Sequence, residues 1–152
     1  MVAQINKMIE TCKKFTNLGL VIIDSFQTIP LYEHIRKSEN ASCVAAQMLQ
    51  KMAQLLNVPV IITSQIPRAA EMRPLKERRP MLSDFMQSSY ESLIDYADFV
   101  FLLYREYYYD KEDANPHLME CIIAKNRSGE RGPAYLRWDS EGLIVQDIDL
   151  NP

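Results

Sequence analysis

Two apolar runs of the chain are each followed by a polar side chain that could do chemistry. The run 20–23 ends at Asp24, and the run 58–63 is followed by Ser64 and Gln65. An acid at the carboxyl end of a parallel strand can hold the Mg²⁺ ion that bridges nucleotide phosphates, because ligands bind where such strands end. A neutral amide at the next strand end can contact a γ-phosphate or orient water. The alternatives are that Asp24 caps the next turn and that Gln65 satisfies local backbone groups.

A cluster of basic side chains lies between residues 66 and 82 of an otherwise acidic chain. Arginine and lysine on a loop can bind a phosphate backbone without reading bases, which suits contact with a single nucleic-acid strand. Loss of Arg78 or Arg79 is then expected to weaken single-strand binding and to flatten its salt dependence. An ordinary solvated surface loop is the alternative. The predicted DNA-contact residues are Arg68, Arg73, Lys76, Arg78 and Arg79.

Two further sets of cations stand at the ends of predicted strands. Lys125 and Arg127 lie in the turn 124–132, which joins two strands and can reach a neighbouring subunit. An arginine delivered to another subunit's γ-phosphate stabilises transition-state charge, although an exposed basic β-turn is the alternative. Arg105 follows the apolar run 99–103, so we expect Asp24, Gln65 and Arg105 to share one rim of a parallel sheet.

The elements that must position these residues follow from hydrophobic periodicity. Helical spacing predicts an amphipathic helix at the start of the chain, and period-free apolar runs predict strands at 20–24, 58–63 and 99–103. A second helix ends at Asn57, and its predicted apolar face is Ala45, Met48, Leu49, Met52, Leu55 and Leu56. This order is typical of a doubly wound α/β fold. Short strands at 118–124, 134–138 and 143–146 predict an antiparallel meander that extends the sheet, with 105–116 as a loop.

Composition limits the class of protein. With 152 residues, 47% apolar residues and four glycines, the chain can bury the core of about one domain. The net charge of −3 argues against a globally basic nucleic-acid binder, so any such contact must be local. Three scattered cysteines without paired spacing favour reduced thiols over disulfides or zinc, and hence a cytoplasmic setting. No apolar run is long enough for a membrane span, so no membrane contact is expected.

Taken in order, these segments resemble the RecA-like C-terminal ATPase domain of DnaB-type replicative DNA helicases over nearly the whole chain. Residues 18–24 with Gln27 are similar to the family's Walker B strand and the DYLQ that follows it. Residues 57–60, Ser64-Gln65 and Arg68 are similar to its NVPV and SQLNR. Further matches in the same order are Ser83-Asp84, 95–98, 104–106 and 125–129.

The resemblance implies a ring-shaped hexamer that encircles single-stranded DNA and moves along it using ATP and Mg²⁺. Asp24 would organise the Mg²⁺ ion, and Gln65 would couple the γ-phosphate to a basic loop that lines the channel. Arg127 would be an arginine finger, with Lys125 beside it, both acting on the nucleotide of the adjacent subunit. Arg105 is expected to contact the nucleotide. Primase and a helicase loader are the expected protein partners.

The chain departs from the family pattern in three places. It contains no Gly-x-x-x-x-Gly-Lys-Ser/Thr motif, so the phosphate-cradling loop is missing, as is the family's catalytic glutamate upstream of Walker B. Pro67 replaces an asparagine after Gln65, and the family's LRESG is altered at 85–89. We therefore expect 1–152 to be a partial RecA-like domain that does not hydrolyse ATP alone. Two alternatives stay open: a non-catalytic interaction module of the same fold, and another RecA-like ATPase of recombination or clock type.

Overall fold

The computed structural model describes residues 2–29, 39–85, 91–139, 141 and 144–148. The chain divides into two compact units, which are described separately. The first unit comprises residues 1–65 and 85–97, and the second comprises 66–84 and 98–152. In the described part of the chain, no helix is both long enough and apolar enough to cross a membrane.

The first unit holds helices packed on a pair of parallel strands. Strand β1 (Val21–Ile23) pairs with β2 (Val60–Ile62), with Val21 opposite Val60 and Ile23 opposite Ile62. A 3-10 turn, Phe26–Thr28, follows β1. The longest helix, α2, connects this region to β2 and packs against α1, α3 and β2. The helices within the described residues are α1 (Val2–Cys12), α2 (Glu39–Leu56) and α3 (Glu91–Tyr96).

The core of the first unit forms where the two helical stripes meet the strands, as their periodicity predicts. Ile5 and Ile9 of α1 are one helical turn apart and both are buried. Ala45, Leu49 and Met52 of α2 are buried in the same cluster, together with Phe26. The prediction that Leu55 belongs to this face is wrong, because its side chain is 54% exposed.

Helix α2 ends where the sequence predicts. Asn57 follows the last helical residue and has a positive φ of 52°. Left-handed backbone at this position commonly terminates helices, and asparagine tolerates it better than most residues with a side chain. The chain then turns directly into β2. Because β2 runs parallel to β1 with Ile23 opposite Ile62, the two strands end side by side.

Strand burial in the first unit is one-sided. Ile23 is buried in the core, whereas Ile22 and Ile61 are 60% and 49% exposed. Successive side chains of a strand point to opposite faces, and the helical core covers one face of the β1–β2 pair. An unbroken apolar run also suggests a strand that is buried on both faces, and for β1 this interpretation is wrong, because Ile22 is exposed.

The second unit is built on a four-stranded antiparallel sheet. Its strand order is β3-β4-β5-β6, so each strand pairs with the next along the chain, which confirms the predicted meander. Three 3-10 turns, Arg68–Met72, Leu75–Glu77 and Leu82–Phe85, shape the segment before α3, and another, Glu106–Tyr108, follows β3. The strands are β3 (Phe99–Tyr104), β4 (Leu118–Asn126), β5 (Gly132–Asp139) and β6 (Ile144–Asp147).

Strand β3 differs from the prediction in its partners. We expected it in the parallel sheet, but among the described residues its ladder is with β4 and none is with β1 or β2. Its burial alternates, with Leu102 and Tyr104 buried and Phe99, Phe101 and Leu103 exposed. Apolar length alone did not distinguish this half-exposed antiparallel strand from a buried parallel one. The predicted alignment of Arg105 with Asp24 stays a prediction.

Candidate functional site

The ends of β1 and β2 lie side by side, and Asp24 stands at this edge. The backbone N–H of Thr63 donates to the carbonyl of Ile23 over 3.0 Å, and the N–H of Phe26 donates to the carbonyl of Thr63 over 2.8 Å. These bonds carry the parallel pairing past the last strand residues. The Thr63 hydroxyl donates to the Asp24 carboxylate, which is otherwise exposed. The fold therefore places the acid at an open strand end.

The polar residues after β2 complete this edge. The side-chain amide of Gln27 donates to the hydroxyl of Ser64 over 3.1 Å, which ties the turn after β1 to the end of β2. Gln65 follows and is exposed. Sequence reasoning missed Thr63 as the direct partner of Asp24. A parallel register that sets residue 23 opposite residue 62 also sets 24 opposite 63, so the pairing of the two strands was the signal that could have found it.

A Mg²⁺ ion fits this edge through Asp24. Among the described residues, no group of three or more acidic, histidine or cysteine side chains could hold a metal by itself. Mg²⁺ is usually held by one or two carboxylates together with substrate phosphates and water, so a single exposed acid matches its needs. The donor set is wrong for zinc, which takes three or four histidine or thiolate ligands. In the part of the chain that the structure describes, this edge offers too few ligands to hold a metal ion unless a nucleotide is also bound.

Arg105 lies in an aromatic cleft of the second unit. Its guanidinium stands 4.8 Å from the centre of the Trp138 ring, and it donates to the carbonyl of Pro116 over 3.2 Å. The Nε of Arg105 and the Nε1 of Trp138 are both buried and have no hydrogen-bond partner within the described part of the chain. The cleft has a volume of about 340 Å³ and is also lined by Tyr108 and Tyr109. A planar group with hydrogen-bond acceptors suits such a lining.

Burial raises the pKa of two tyrosines that line this cleft, Tyr104 and Tyr109. Desolvation raises the pKa of Tyr104, and the nearby charges of Glu106 and Glu120 add to the effect. Desolvation also raises the pKa of Tyr109, with Glu71 contributing. Tyrosine is already uncharged at neutral pH, and these shifts move the ionisation of both rings further from it. Burial likewise raises the pKa of the Cys121 thiol, which makes it a poor nucleophile.

The hairpin between β4 and β5 presents the two cations predicted there. The side chain of Asn126 orders the turn, since it accepts from the N–H of Ser128 over 3.0 Å and donates to the carbonyl of Glu130 over 2.9 Å. Lys125 lies on β4 opposite Val100. Arg127 lies at the tip, where its guanidinium is 2.9 Å from the Asp98 carboxylate, and the two side chains are 72% and 52% exposed. Arg127 is therefore accessible to a partner.

The basic loop 66–84 does not leave all its cations in solvent. Arg73 is paired with Asp84, Arg79 with Glu120, and the guanidinium of Arg78 stands 5.3 Å from the centre of the Tyr109 ring. Arg68 and Lys76 are exposed. The five cations predicted as one set thus fall into two groups: Arg73, Arg78 and Arg79 have contacts within the chain, although Arg79 is still 44% exposed, and Arg68 and Lys76 are exposed without an ion pair among the described residues.

Comparison with known proteins identifies the family. The sequence model of the family described as DnaB-like helicase C terminal domain matches residues 1–145 of this chain. The chain belongs to this DnaB-like family. It is 36% identical over 143 residues to the replicative DNA helicase DnaC of Bacillus subtilis and to the replicative DNA helicase DnaB of Geobacillus stearothermophilus. Each match covers 92% of the chain and 30% of the relative, so the chain spans about a third of those proteins.

Solved structures confirm the fold class. One solved ATPase domain is 32% identical, with a TM-score of 0.76, and the match covers 95% of this chain and 50% of that one. A DnaB-like replicative helicase solved for its interactions with primase has the same identity and TM-score, with 95% of this chain and 35% of that chain covered. The chain therefore has the RecA-like α/β architecture predicted for it. The segment 85–89, where this chain departs from the family's LRESG, falls outside the described residues except for Phe85.

Proposed function

We propose that this chain forms the Walker B part of a DnaB-type ATPase domain and drives translocation on single-stranded DNA in a ring-shaped hexamer. The observation that carries the proposal is the edge where Asp24 meets Thr63, with Gln27 joined to Ser64. It is supported by membership of the DnaB-like family over residues 1–145. A motor of this class moves along one DNA strand and separates the duplex in front of it.

In this proposal the edge of the first unit holds the reacting end of ATP. Mg²⁺, when bound with the nucleotide, neutralises charge that develops on the phosphates. Asp24 holds the ion, and Thr63 keeps the carboxylate oriented through its hydroxyl. Gln65 contacts the γ-phosphate. Its position therefore depends on whether the γ-phosphate is present, and it is joined directly to the basic loop that begins at the next residue. An exposed amide suits this role because it can donate and accept hydrogen bonds without carrying charge.

The second unit carries the other cations assigned to the ATPase cycle. Arg105 is proposed to contact a nucleotide, and the unsatisfied N–H groups of Arg105 and Trp138 would find acceptors on a planar group bound in their cleft. Arg127 reaches the γ-phosphate bound by the adjacent subunit, with Lys125 beside it. Its exposure at a turn tip supports a contact made outside its own subunit. Positive charge delivered in this way stabilises the transition state of phosphoryl transfer.

The 152 residues hold no P-loop, so the group that cradles the phosphates must come from other residues of the working motor. Experiments on turnover therefore use a polypeptide that joins this chain to a P-loop segment. One solved relative is described by its interactions with primase, which supports primase as a partner here. A helicase loader is proposed on the family resemblance alone.

The test is Asp24→Asn in a polypeptide with both halves of the domain. We expect ATP turnover to fall on the order of 10²-fold or more, because a metal ligand that supports several kcal/mol of charge stabilisation is lost. Binding of a fluorescent ATP analogue without Mg²⁺ should change little. Asp113→Asn, an exposed acid in the loop after β3, is the matched control and should turn over normally.

Normal turnover by Asp24→Asn would remove the metal assignment. A polypeptide that binds single-stranded DNA but shows no ATP turnover even without substitutions would instead favour the interaction module. These two outcomes are separate, because the first concerns one residue and the second concerns the class of protein.

A further inference from the structure

Arg73 closes the basic loop on itself. Its guanidinium is 3.0 Å from the Asp84 carboxylate, and the two side chains are 21% and 10% exposed. It also donates to the carbonyl of Arg79 over 3.2 Å. Asp84 accepts a further bond from the N–H of Met81 over 2.8 Å. The loop from 73 to 84 is therefore a cross-braced segment and not a freely moving chain of cations.

Arg79 fastens that segment to the antiparallel sheet. Two of its nitrogens, Nη2 and Nε, lie 2.7 Å and 2.9 Å from the same oxygen of Glu120. Glu120 lies on β4, opposite Tyr104 on one side and Tyr135 on the other, and its side chain is 16% exposed. A carboxylate withdrawn from water to this extent requires a partner, and Arg79 supplies it.

Arg78 adds a second attachment. Its Nε donates to the carbonyl of Arg73 over 3.0 Å, and its guanidinium stands 5.3 Å from the centre of the Tyr109 ring. Guanidinium groups over tyrosine rings are stabilised by the ring quadrupole. Arg79 and Arg78 thus hold the loop against Glu120 of β4 and against Tyr109, which follows the 3-10 turn after β3.

The strand that receives Arg79 also carries the hairpin cations. Glu120 and Lys125 belong to β4, which runs to Asn126 and leads directly into the turn with Arg127. Pairing on both sides stiffens β4 over residues 120–123, which lie between β3 and β5, and beyond them Lys125 stays paired with Val100 of β3 after a shift in register. If the loop moves at Arg79, it therefore pulls on β4, the same strand that positions Lys125 and leads to Arg127.

We propose that Arg79 and Glu120 are positioning residues that fix the basic loop to the strand bearing Lys125 and Arg127, and that Arg68 and Lys76 make the phosphate contacts. The DNA part of this inference rests on the proposed function. It revises the expectation from sequence that all five cations of the loop touch DNA. Arg79 is 44% exposed, but its Nε and Nη2 are held by Glu120 and a phosphate would have to share its charge with that carboxylate, whereas Arg68 and Lys76 are exposed and have no ion pair among the described residues.

Salt dependence of single-strand binding separates the two roles. Each phosphate contact that is lost lowers the slope of log affinity against log salt by roughly 0.7 for a single strand. We expect Arg68→Gln and Lys76→Gln to lower the slope by about this amount each. Arg79→Gln and Glu120→Gln should weaken binding while leaving the slope unchanged, because they loosen the loop without removing a phosphate contact.

The charge swap is the decisive variant. Combining Arg79→Glu with Glu120→Arg restores an ion pair with reversed polarity, so binding should return toward that of the unsubstituted protein. Glu112→Gln, an exposed acid in the loop before β4, is the control for loss of one negative charge. The proposal is overturned if Arg79→Gln lowers the salt slope by roughly 0.7 while Glu120→Gln and the swap leave binding as it was.

Hydrogen exchange distinguishes failure of this inference from failure of the proposed function. Without DNA, Glu120→Gln should speed amide exchange several-fold across 73–81, and Glu112→Gln should not. If the loop loosens but none of the variants alters DNA binding, the attachment stands and the DNA assignment fails. If exchange is unchanged in Glu120→Gln, the attachment itself is wrong.

Discussion

At the scale of single residues, the exposed pair of Arg127 and Asp98 has little effect on folding. Both side chains are more than half exposed, and such pairs contribute about 0–1 kcal/mol because water and salt screen them. We expect Asp98→Asn to change the free energy of unfolding by less than about 1 kcal/mol. Urea denaturation of the chain measures this directly.

The matched comparison is the more buried pair of Arg73 and Asp84. Asp84→Asn removes the negative charge that pairs with Arg73 and replaces one of the two carboxylate oxygens with an NH2 donor, and we expect a loss of about 2 kcal/mol. Equal effects of the two substitutions would contradict the distinction between a weak exposed contact and a brace. A weak pair at Asp98 also suits the role proposed for Arg127, in which the guanidinium would exchange this carboxylate for a triphosphate.

The strand-end acid was predictable from the sequence, because an apolar run followed by Asp24 is a local pattern. The intrachain partners of the loop arginines were not. Arg79 and Glu120 are 41 residues apart, and only the fold brings them together. Charge counting along the chain cannot tell a paired arginine from a free one, so all five cations were assigned the same role. Thr63 was missed for the same reason, since its role depends on the register of two strands.

At the scale of elements, helix α2 shows how far periodicity determines packing. Met52 is fully buried in the core of the first unit, whereas Leu55, three residues on, is 54% exposed. At about 100° per residue, Leu55 lies roughly 80° around the helix from the Ala45 direction, at the margin of the apolar stripe. The spacing rule therefore predicted the stripe correctly but could not set its edge.

The same two residues provide a test of the core. Met52→Ala should cost about 2–5 kcal/mol of folding free energy, because it removes buried contacts and leaves a cavity. Leu55→Ala removes a side chain that is largely in water and should cost under about 1 kcal/mol. Thermal or urea unfolding of both variants measures the difference. Similar losses would mean that Leu55 is packed, against the exposure found here.

At the scale of the whole molecule, the sequence predicted the class of fold and the positions of its strands along the chain, but not the partner of β3. It did not predict the exposed apolar faces, which include Ile22 and Ile61 in one unit and Phe99, Phe101 and Leu103 in the other. Period-free apolar runs look the same whether one face or both are covered. The chain spans 50% of the solved ATPase domain that it matches, so strand faces that are exposed here need not be exposed in a domain of that size.

The trans action of Arg127 is the prediction that depends on the whole assembly. In rings of a polypeptide that includes a P-loop, Asp24→Asn and Arg127→Ala should each abolish ATP turnover when present alone, because one loses the metal ligand and the other the finger. In a ring that mixes both variants, some interfaces combine an intact Asp24 from one subunit with an intact Arg127 from its neighbour. We therefore expect the mixture to recover turnover that neither variant has. A ring in which Arg127 acted within its own subunit would contain no intact site, and the mixture would stay inactive. The control is co-purification of differently tagged subunits, which shows that both variants are in the same rings, and an inactive mixture of such rings would contradict action of Arg127 across the subunit boundary.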